Sequence, residues 1–305
     1  MHDLPVPDGR FAPSPTGPLH LGNLRTALLA WLFARSDGSR FLLRVEDLDT
    51  VAARAEHEAA HRADLAALGI EWDDEVVRQS ERFDRYHEAI DRLVDDGLTY
   101  PCFCTRREVL EAASAPHGAF PEGAYPGTCR ELDEGERAER AAAGRQPSLR
   151  LRAGGVLVEV VDRLAGRVEA AVDDFVLRRA DGTPAYNVAV VVDDAAQGIG
   201  EVVRGDDLLP TTPRQVHLAD LLGLPVPAYA HVPLVLGPDG ERLAKRHGAV
   251  TLADRTARGE TADQVRALLG SSVGLCEPGE PVTMATLLDR FDPTALPREP
   301  WVLAT

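Results

Sequence analysis

Residues 10–47 set the frame for the whole chain. The short run R-F-A-P (10–13) leads through P-S-P-T-G-P-L-H-L-G-N (13–23), dense in proline and glycine. In the next segment Leu24, Ala27, Leu28, Trp31 and Leu32 recur at helical spacing, and F-L-L-R-V-E-D (41–47) follows as a buried strand. Strand, helix and strand in that order predict a βαβ unit, and hence an α/β fold built on a parallel sheet. The glycines and prolines let backbone approach a ligand closely, while a helix N-terminus offers N–H groups and the positive end of a dipole, a combination that favours phosphate. His20 falls at the start of this helix, where it reads either as a cap or packing residue or as a ring nitrogen that can donate to the same group.

The remaining chain extends that pattern. Apolar residues return at three- and four-residue steps over 56–69 and 82–97, each run ending in glycine as helices often do. Residues 99–130 are rich in Pro, Gly and Cys with weak periodicity and read as an inserted subdomain. The charged, alanine-rich stretch 131–146 reads as a solvated helix. A β-rich passage comes next: V-L-V-E-V-V (156–161), then a hairpin over 175–194 whose D-G turn leads into Y-N-V-A-V-V-V-D-D as a buried strand. A helix over 212–224 and a strand over 231–236 complete the set.

Apolar residues make up 44% and charged residues 27% of the 305-residue chain, the balance of a soluble globular protein with room for about two domains. No run approaches the roughly 20 apolar residues needed to span a bilayer, and the N-terminus lacks the features of a signal peptide. Four cysteines are too few and too unevenly spaced for a disulfide framework, so the expected setting is cytoplasmic, with no membrane partner. The net charge of -16 argues against a general DNA or RNA coat, because non-specific affinity comes from neutralising phosphates with Lys and Arg. A specific RNA-binding face stays open; DNA is not expected as a partner, and the chain is taken as a monomer.

A second glycine-bracketed segment, L-G-P-D-G-E-R-L-A-K-R-H-G-A (236–249), follows an apolar strand and carries Arg242, Lys245 and Arg246. Mobile cations beside a nucleotide suit stabilisation of charge that builds on phosphoryl oxygens only in the transition state. Taken together, His20-Leu21-Gly22-Asn23 and Arg242-Leu243-Ala244-Lys245-Arg246 resemble the two signature elements of class I aminoacyl-tRNA synthetases, His-Ile-Gly-His and Lys-Met-Ser-Lys-Ser. R-F-A-P-S-P-T-G (10–17), R-V-E-D-L-D (44–49), Y-N-V-A-V-V-V-D-D (186–194) and V-R-G-D-D-L-L-P-T-T-P-R-Q (203–215) are similar, in the same order, to the glutamyl branch of that family.

The resemblance implies a Rossmann-type catalytic domain split into halves at 1–98 and 186–250. It further implies a zinc-binding subdomain at 99–130 within a connective insert reaching about 185, and a short C-terminal extension over 251–305. It implies ATP with Mg²⁺, contacted by His20, Gly22, Asn23 and Lys245, with His20 and Lys245 catalytic. The signature loop departs from the family at Arg242, Ala244 and Arg246, so Lys245 carries the expectation there. Asn23 replaces the second histidine of the first element.

A small acidic amino acid requires cations for its carboxylate and an anion for its ammonium. Arg10 and Arg204 are the cationic candidates. Glu46, at the C-terminal end of a strand where open α/β sheets place ligands, is the anionic one. By resemblance Arg10, Phe11, Ala12, Pro13, Ser14, Glu46, Tyr186 and Arg204 form the L-glutamate pocket. Asp193 and Asp194 carry two readings, a nucleotide flank or a strand-ending cap.

Cys102-Phe103-Cys104 and Cys129 supply three thiolates for a tetrahedral, structural zinc site, a staple suited to a small insert with few large apolar residues. His117 is the generic fourth ligand. Tyr125 is the one implied by resemblance to a branch of glutamyl synthetase paralogues, and Cys276 is read as a core thiol. Only about 56 residues follow Ala249, too few for the helical anticodon-reading domain of full glutamyl synthetases. The resemblance therefore implies the paralogues that place glutamate on queuosine in the anticodon loop of tRNA(Asp). A minimal synthetase charging a tRNA 3′ end, and an inactive zinc-bearing RNA-binding or regulatory paralogue, are the alternatives.

Overall fold

The structure, a computed structural model, describes residues 8–113, 124–243, 245–248 and 250–303. In chain order the first half forms β1 (Asp8–Phe11), α1 (Leu21–Ser36), β2 (Phe41–Val45), α2 (Ala55–Ala67), β3 (Asp73–Arg78), α3 (Phe83–Asp95), β4 (Thr99–Cys102), α4 (Arg106–Ala113) and α5 (Glu134–Ala142). Then come β5 (Ser148–Leu151), β6 (Leu157–Asp162), β7 (Gly166–Ala171), β8 (Val176–Arg178), α6 (Tyr186–Ala196), β9 (Ile199–Gly205) and α7 (Thr212–Leu222). The chain closes through β10 (Ala228–Val232), β11 (Val235–Leu236), α8 (Leu252–Ala257), α9 (Ala262–Ser271), α10 (Met284–Asp289) and β12 (Trp301–Val302).

Seven strands make one sheet in the order β3-β2-β1-β9-β10-β6-β7. Every neighbouring pair is parallel except the β6–β7 hairpin. From β1 the chain runs outward to β2 and β3 on one side, then returns through β9 and β10 on the other. That reversal opens a crevice past the carboxyl ends of β1 and β9, the place where open α/β sheets bind ligands. A separate three-stranded sheet, β4-β5-β8, belongs to the insert, whereas β6 and β7 extend the main sheet. The connective region thus contributes to both layers.

The buried strand expected over 186–194 is α6 instead. Val188, Ala189, Val190 and Val191 are all buried, and they pack with Tyr86, Ile90 and Leu93 of α3 and Leu218 and Leu222 of α7. A helix enclosed by two others has no polar stripe, so its apolar run lacks helical periodicity; its β-branched residues then mimic a strand, and packing overrides local propensity. The preceding turn forms as expected, with Arg179 N–H donating to Thr183 O at 2.9 Å.

Helix α1 is also buried nearly all round rather than being amphipathic. Its inner side meets the sheet. The rest is covered from the C-terminal segment by Val265 and Leu269 of α9, Leu287 of α10, and Leu296 and Leu303, all in the same core cluster. Beyond them β12 pairs with β11, Val235 opposite Trp301 and Leu236 opposite Val302, next to the signature segment. Among the described residues no helix is long and apolar enough to cross a membrane.

Candidate active site

The crevice at the sheet's switch point is a cavity of about 500 Å³. Arg10, Phe11, Ala12, Pro13, Ser14, Glu46, Tyr186 and Arg204 all line it, and so do His20, Gly22 and Asn23. Residues from the ends of β1, β2 and β9, the start of α6 and the start of α1 are therefore brought to one place.

At the start of α1, His20 is the N-cap. Its Nδ1 accepts from the Asn23 N–H at 3.2 Å, and Asn23 Oδ1 accepts the His20 N–H at 3.1 Å. This reciprocal box is usually made by Ser or Thr with Glu or Gln. Because Nδ1 accepts, the neutral ring carries its proton on Nε2, a donor. Burial, reinforced by the nearby Arg242 charge, lowers the His20 pKa and favours that neutral form. The helix start is less open than its sequence implies, because Leu21 N–H is already taken by Val250 O at 2.7 Å. A Cβ on Gly22 would sit 2.9 Å from His20 Cε1 and Nδ1, so the glycine makes room for the ring.

Behind the cavity lies a buried ionic network. Arg44, with no exposed side-chain surface, donates to Asp194 at 2.8 Å and to Gln197 at 2.9 Å, and reaches Glu46 at 3.4 Å. Arg10 Nε reaches the same Asp194 oxygen at 3.3 Å. Burial raises the pKa of Asp194, but Arg44 and Arg10 more than offset this and hold it below the usual carboxylate range. For Glu46 burial dominates its cationic neighbours and the pKa rises. Asp193 accepts from Arg82 at 2.7 Å and from the Tyr86 hydroxyl at 2.7 Å, entirely within the protein. Neither aspartate caps a strand: Asp194 ties α6 to β1 and β2, and Asp193 ties it to the start of α3.

Arg204 is buried and differently held. Its Nε donates to His231 Nε2 at 3.0 Å and its NH2 to Thr212 Oγ1 at 2.8 Å, while NH1 is buried without a partner. At the cavity wall Arg242, itself largely exposed, pairs with Asp207 at 2.9 Å. Lys245 begins a short 3₁₀ turn, but its side chain, like Ala244, lies outside the described residues. Arg246 faces Asp239 at 3.5 Å. Sequence reasoning missed Arg44, Asp162, Asp207, Thr212 and His231. Arg44, Asp207 and Thr212 lie inside segments that the sequence singles out, without a role of their own there; nothing local signalled Asp162 or His231, whose roles depend on strands that meet only in the fold.

In the insert, the Sγ atoms of Cys102, Cys104 and Cys129 lie within 4.8 Å of one another. Cys104 and Cys129 are 3.5 Å apart, and the Tyr125 hydroxyl is 3.3 Å from Cys102 and 3.7 Å from Cys104. Tetrahedral zinc with ordinary bond lengths separates two sulfurs by about 3.8 Å and a sulfur from an oxygen by about 3.5 Å, so the donor set is compatible with zinc. Arg150 stacks 3.7 Å from the Tyr125 ring centroid, and Arg140 donates to Cys129 Sγ at 3.7 Å, placing positive charge around these groups. His117 lies outside the described residues. Cys276 is half-buried and donates to Ala267 O at 3.4 Å, as a structural thiol does.

A parallel sheet with its crevice at β1 and β9, a histidine-capped helix start and a cation-rich cavity are what a class I synthetase catalytic domain requires. Residues 8–274 match the family tRNA synthetases class I (E and Q), catalytic domain, and the chain belongs to that family. It is an enzyme family of glutamyl-tRNA synthetase-like ligases. Among its relatives, the chain is 64% identical to the glutamyl-Q tRNA(Asp) synthetase of Nocardia farcinica, over 99% of this chain and 96% of that one. It is 45% identical to the glutamate–tRNA ligase of Oleidesulfovibrio alaskensis over 80% of this chain, and spans about half of that longer protein, 52%. Among solved structures, the glutamate tRNA ligase of Elizabethkingia meningosepticum, crystallised with its amino acid, superposes with a TM-score of 0.81 at 27% identity. That match covers 97% of this chain and 66% of the other.

Proposed function

We propose that the protein activates L-glutamate with ATP and transfers it to the queuosine base in the anticodon loop of tRNA(Asp). The observation that carries the first step is the convergence of Arg10, Glu46, Tyr186 and Arg204 with His20 on one cavity. Arg204, with NH1 unpaired, offers a carboxylate the donor it lacks, and Glu46 offers the ammonium an anion. Phe11, Ala12, Pro13 and Ser14 wall the amino-acid end. His20, Gly22 and Asn23 take the nucleotide end, and Lys245 of the signature loop is assigned to the same end by the family motif.

In this mechanism the glutamate α-carboxylate oxygen attacks the α-phosphorus of ATP, forming the mixed anhydride and expelling pyrophosphate. Held side by side, the reactants need no enzyme nucleophile. His20 Nε2–H and Lys245 stabilise charge on the phosphates; Mg²⁺ entering with ATP would supply further positive charge there. A hydroxyl of the queuosine cyclopentene ring then attacks the activated carbonyl; AMP leaves and the hydroxyl proton passes to solvent. The acceptor assignment is supported by relatives up to 64% identical that are named glutamyl-Q tRNA(Asp) synthetases. Residues 1–98 and 186–250 are read as the two halves that build this site, and 251–305 as the segment that supports it.

Zinc held by Cys102, Cys104, Cys129 and Tyr125 is proposed as structural. Four protein ligands leave no open position for substrate. When bound, the ion cross-links β4 to the segment before α5, where the small core of Tyr100, Phe103 and Leu132 is too slight to fold the insert alone.

The deciding experiment offers labelled glutamate and ATP with tRNA(Asp) that carries or lacks queuosine. Label is expected only on the queuosine-bearing tRNA, and retained after periodate treatment of the 3′ end. Equal labelling of both tRNAs, or label confined to the 3′ terminal ribose, overturns the acceptor assignment in favour of a minimal synthetase.

A further inference from the structure

Arg204 and Arg10 both line the cavity, yet they are partnered in opposite ways. Arg10 is tied to the Asp194 carboxylate, so much of its charge is answered inside the protein. Arg204 has no carboxylate partner among the described residues; its Nε and NH2 meet His231 Nε2 and Thr212 Oγ1, both uncharged acceptors. His231 accepts at Nε2 because its proton is held on the other nitrogen: Nδ1 lies 2.6 Å from Asp162 Oδ2. Asp162 is in turn fixed by the backbone N–H groups of Leu164 at 2.8 Å, Ala165 at 2.7 Å and His231 at 3.1 Å.

The geometry comes from the sheet itself. Arg204 of β9 sits directly opposite His231 of β10, and Asp162 ends β6, the next strand along. Side chains opposite one another on neighbouring strands share a face. Asp162 and His231 are fully buried, so the arrangement is rigid and dry.

We infer that Asp162 and His231 are a positioning pair for Arg204: they lock the imidazole as an acceptor, hold the guanidinium plane, and keep a carboxylate away from it. Arg204 thereby keeps an uncompensated charge and one unmade hydrogen bond beside the cavity, and the site is incomplete until an anion arrives. This rests on reading the cavity as the glutamate site and adds to it a reason for preferring an acid to an amide. An amide meets the unpaired N–H but leaves the charge unanswered. Placing Asp162 one residue further from Arg204, behind the imidazole, orients the cation without neutralising it.

The test compares His231→Leu, which removes the acceptor, with His231→Gln, whose amide oxygen can replace it, in glutamate-dependent ATP–pyrophosphate exchange. For His231→Leu the glutamate KM is expected to rise by about tenfold or more, with the ATP KM unchanged and His231→Gln restoring most of the loss. An unchanged glutamate KM in His231→Leu, or equal losses in both variants, overturns the inference. Nitrogen-15 NMR of the wild-type imidazole gives a readout independent of activity and of variant folding. A neutral ring protonated at Nδ1 is expected, and one protonated at Nε2 overturns the pair. Wild-type protein lacking glutamate-dependent exchange while showing the Nδ1–H ring would instead sink the glutamate reading and leave the positioning of Arg204 standing.

Discussion

His20 shows how one ring can cap a helix and, in the role proposed for it, still offer a donor to a ligand. Its Nδ1 closes the first turn of α1, and that same bond fixes the proton on Nε2. The two roles use opposite sides of one ring. Gly22 is the neighbour that permits this, since a methyl there would strike the ring at 2.9 Å. Gly22→Ala is therefore expected to displace the imidazole and lower ATP–pyrophosphate exchange by about tenfold or more, while the melting temperature falls by only a few degrees, about the loss of one cap. Exchange kinetics and a thermal melt on the same preparation check it; wild-type exchange would remove His20 from the phosphate contact. The glycine, the histidine and a capping use of its ring were all visible in the sequence, but the reciprocal box was not, because it depends on Asn23 offering both its N–H and its Oδ1.

At the scale of elements, α6 and the cysteine segment teach opposite lessons. Y-N-V-A-V-V-V-D-D looks like a strand by every local measure and is a helix because α3 and α7 enclose it. Its aspartates, ambiguous in sequence, anchor it through Arg44, Arg10, Arg82 and Tyr86. The cysteine segment was legible because its chemistry is local: C-x-C and one later cysteine, with a tyrosine four residues before, come together with sulfur and oxygen spacings close to those of a tetrahedron. The purified protein is expected to hold about one zinc per chain, and Tyr125→Phe to weaken zinc by at least about tenfold in competition with a chromogenic chelator, with His117→Ala unchanged. The reverse result makes the histidine the fourth ligand. Loss of zinc should open the β4-β5-β8 layer first, since the small core there has few other contacts.

At the scale of the whole molecule, several buried carboxylates are answered by charged or hydrogen-bonding partners, and this gives stability a definite pH dependence. Burial alone would raise Asp162, Asp174 and Asp194, but bonds from His231, Arg130 and Arg44 with Arg10 prevail and hold all three below their ordinary values. A carboxylate whose pKa is lower folded than unfolded stabilises the fold above its unfolded value, near 4, and that contribution is lost as pH falls through the folded values. Glu46, raised by burial, acts in the other direction, its ionisation opposing the fold as pH rises through its folded value. Asp64, Glu201 and Asp206 are raised as Glu46 is, but among the described residues the lowered carboxylates outnumber them, so urea unfolding is expected to show a marked drop in stability between pH 7 and about pH 3; a flat profile would mean that the buried ion pairs do not form. The α/β class, the glycine- and proline-rich entry to α1, the cation-bearing loop and the cysteine cluster were legible in the amino acids alone, because each is written in spacings of a few residues. That α6 is a helix, that the C-terminal segment covers α1, and that Asp162, His231 and Arg204 form one line emerged with the fold. Those depend on which strands become neighbours, and strand order is set by the packing of the whole chain.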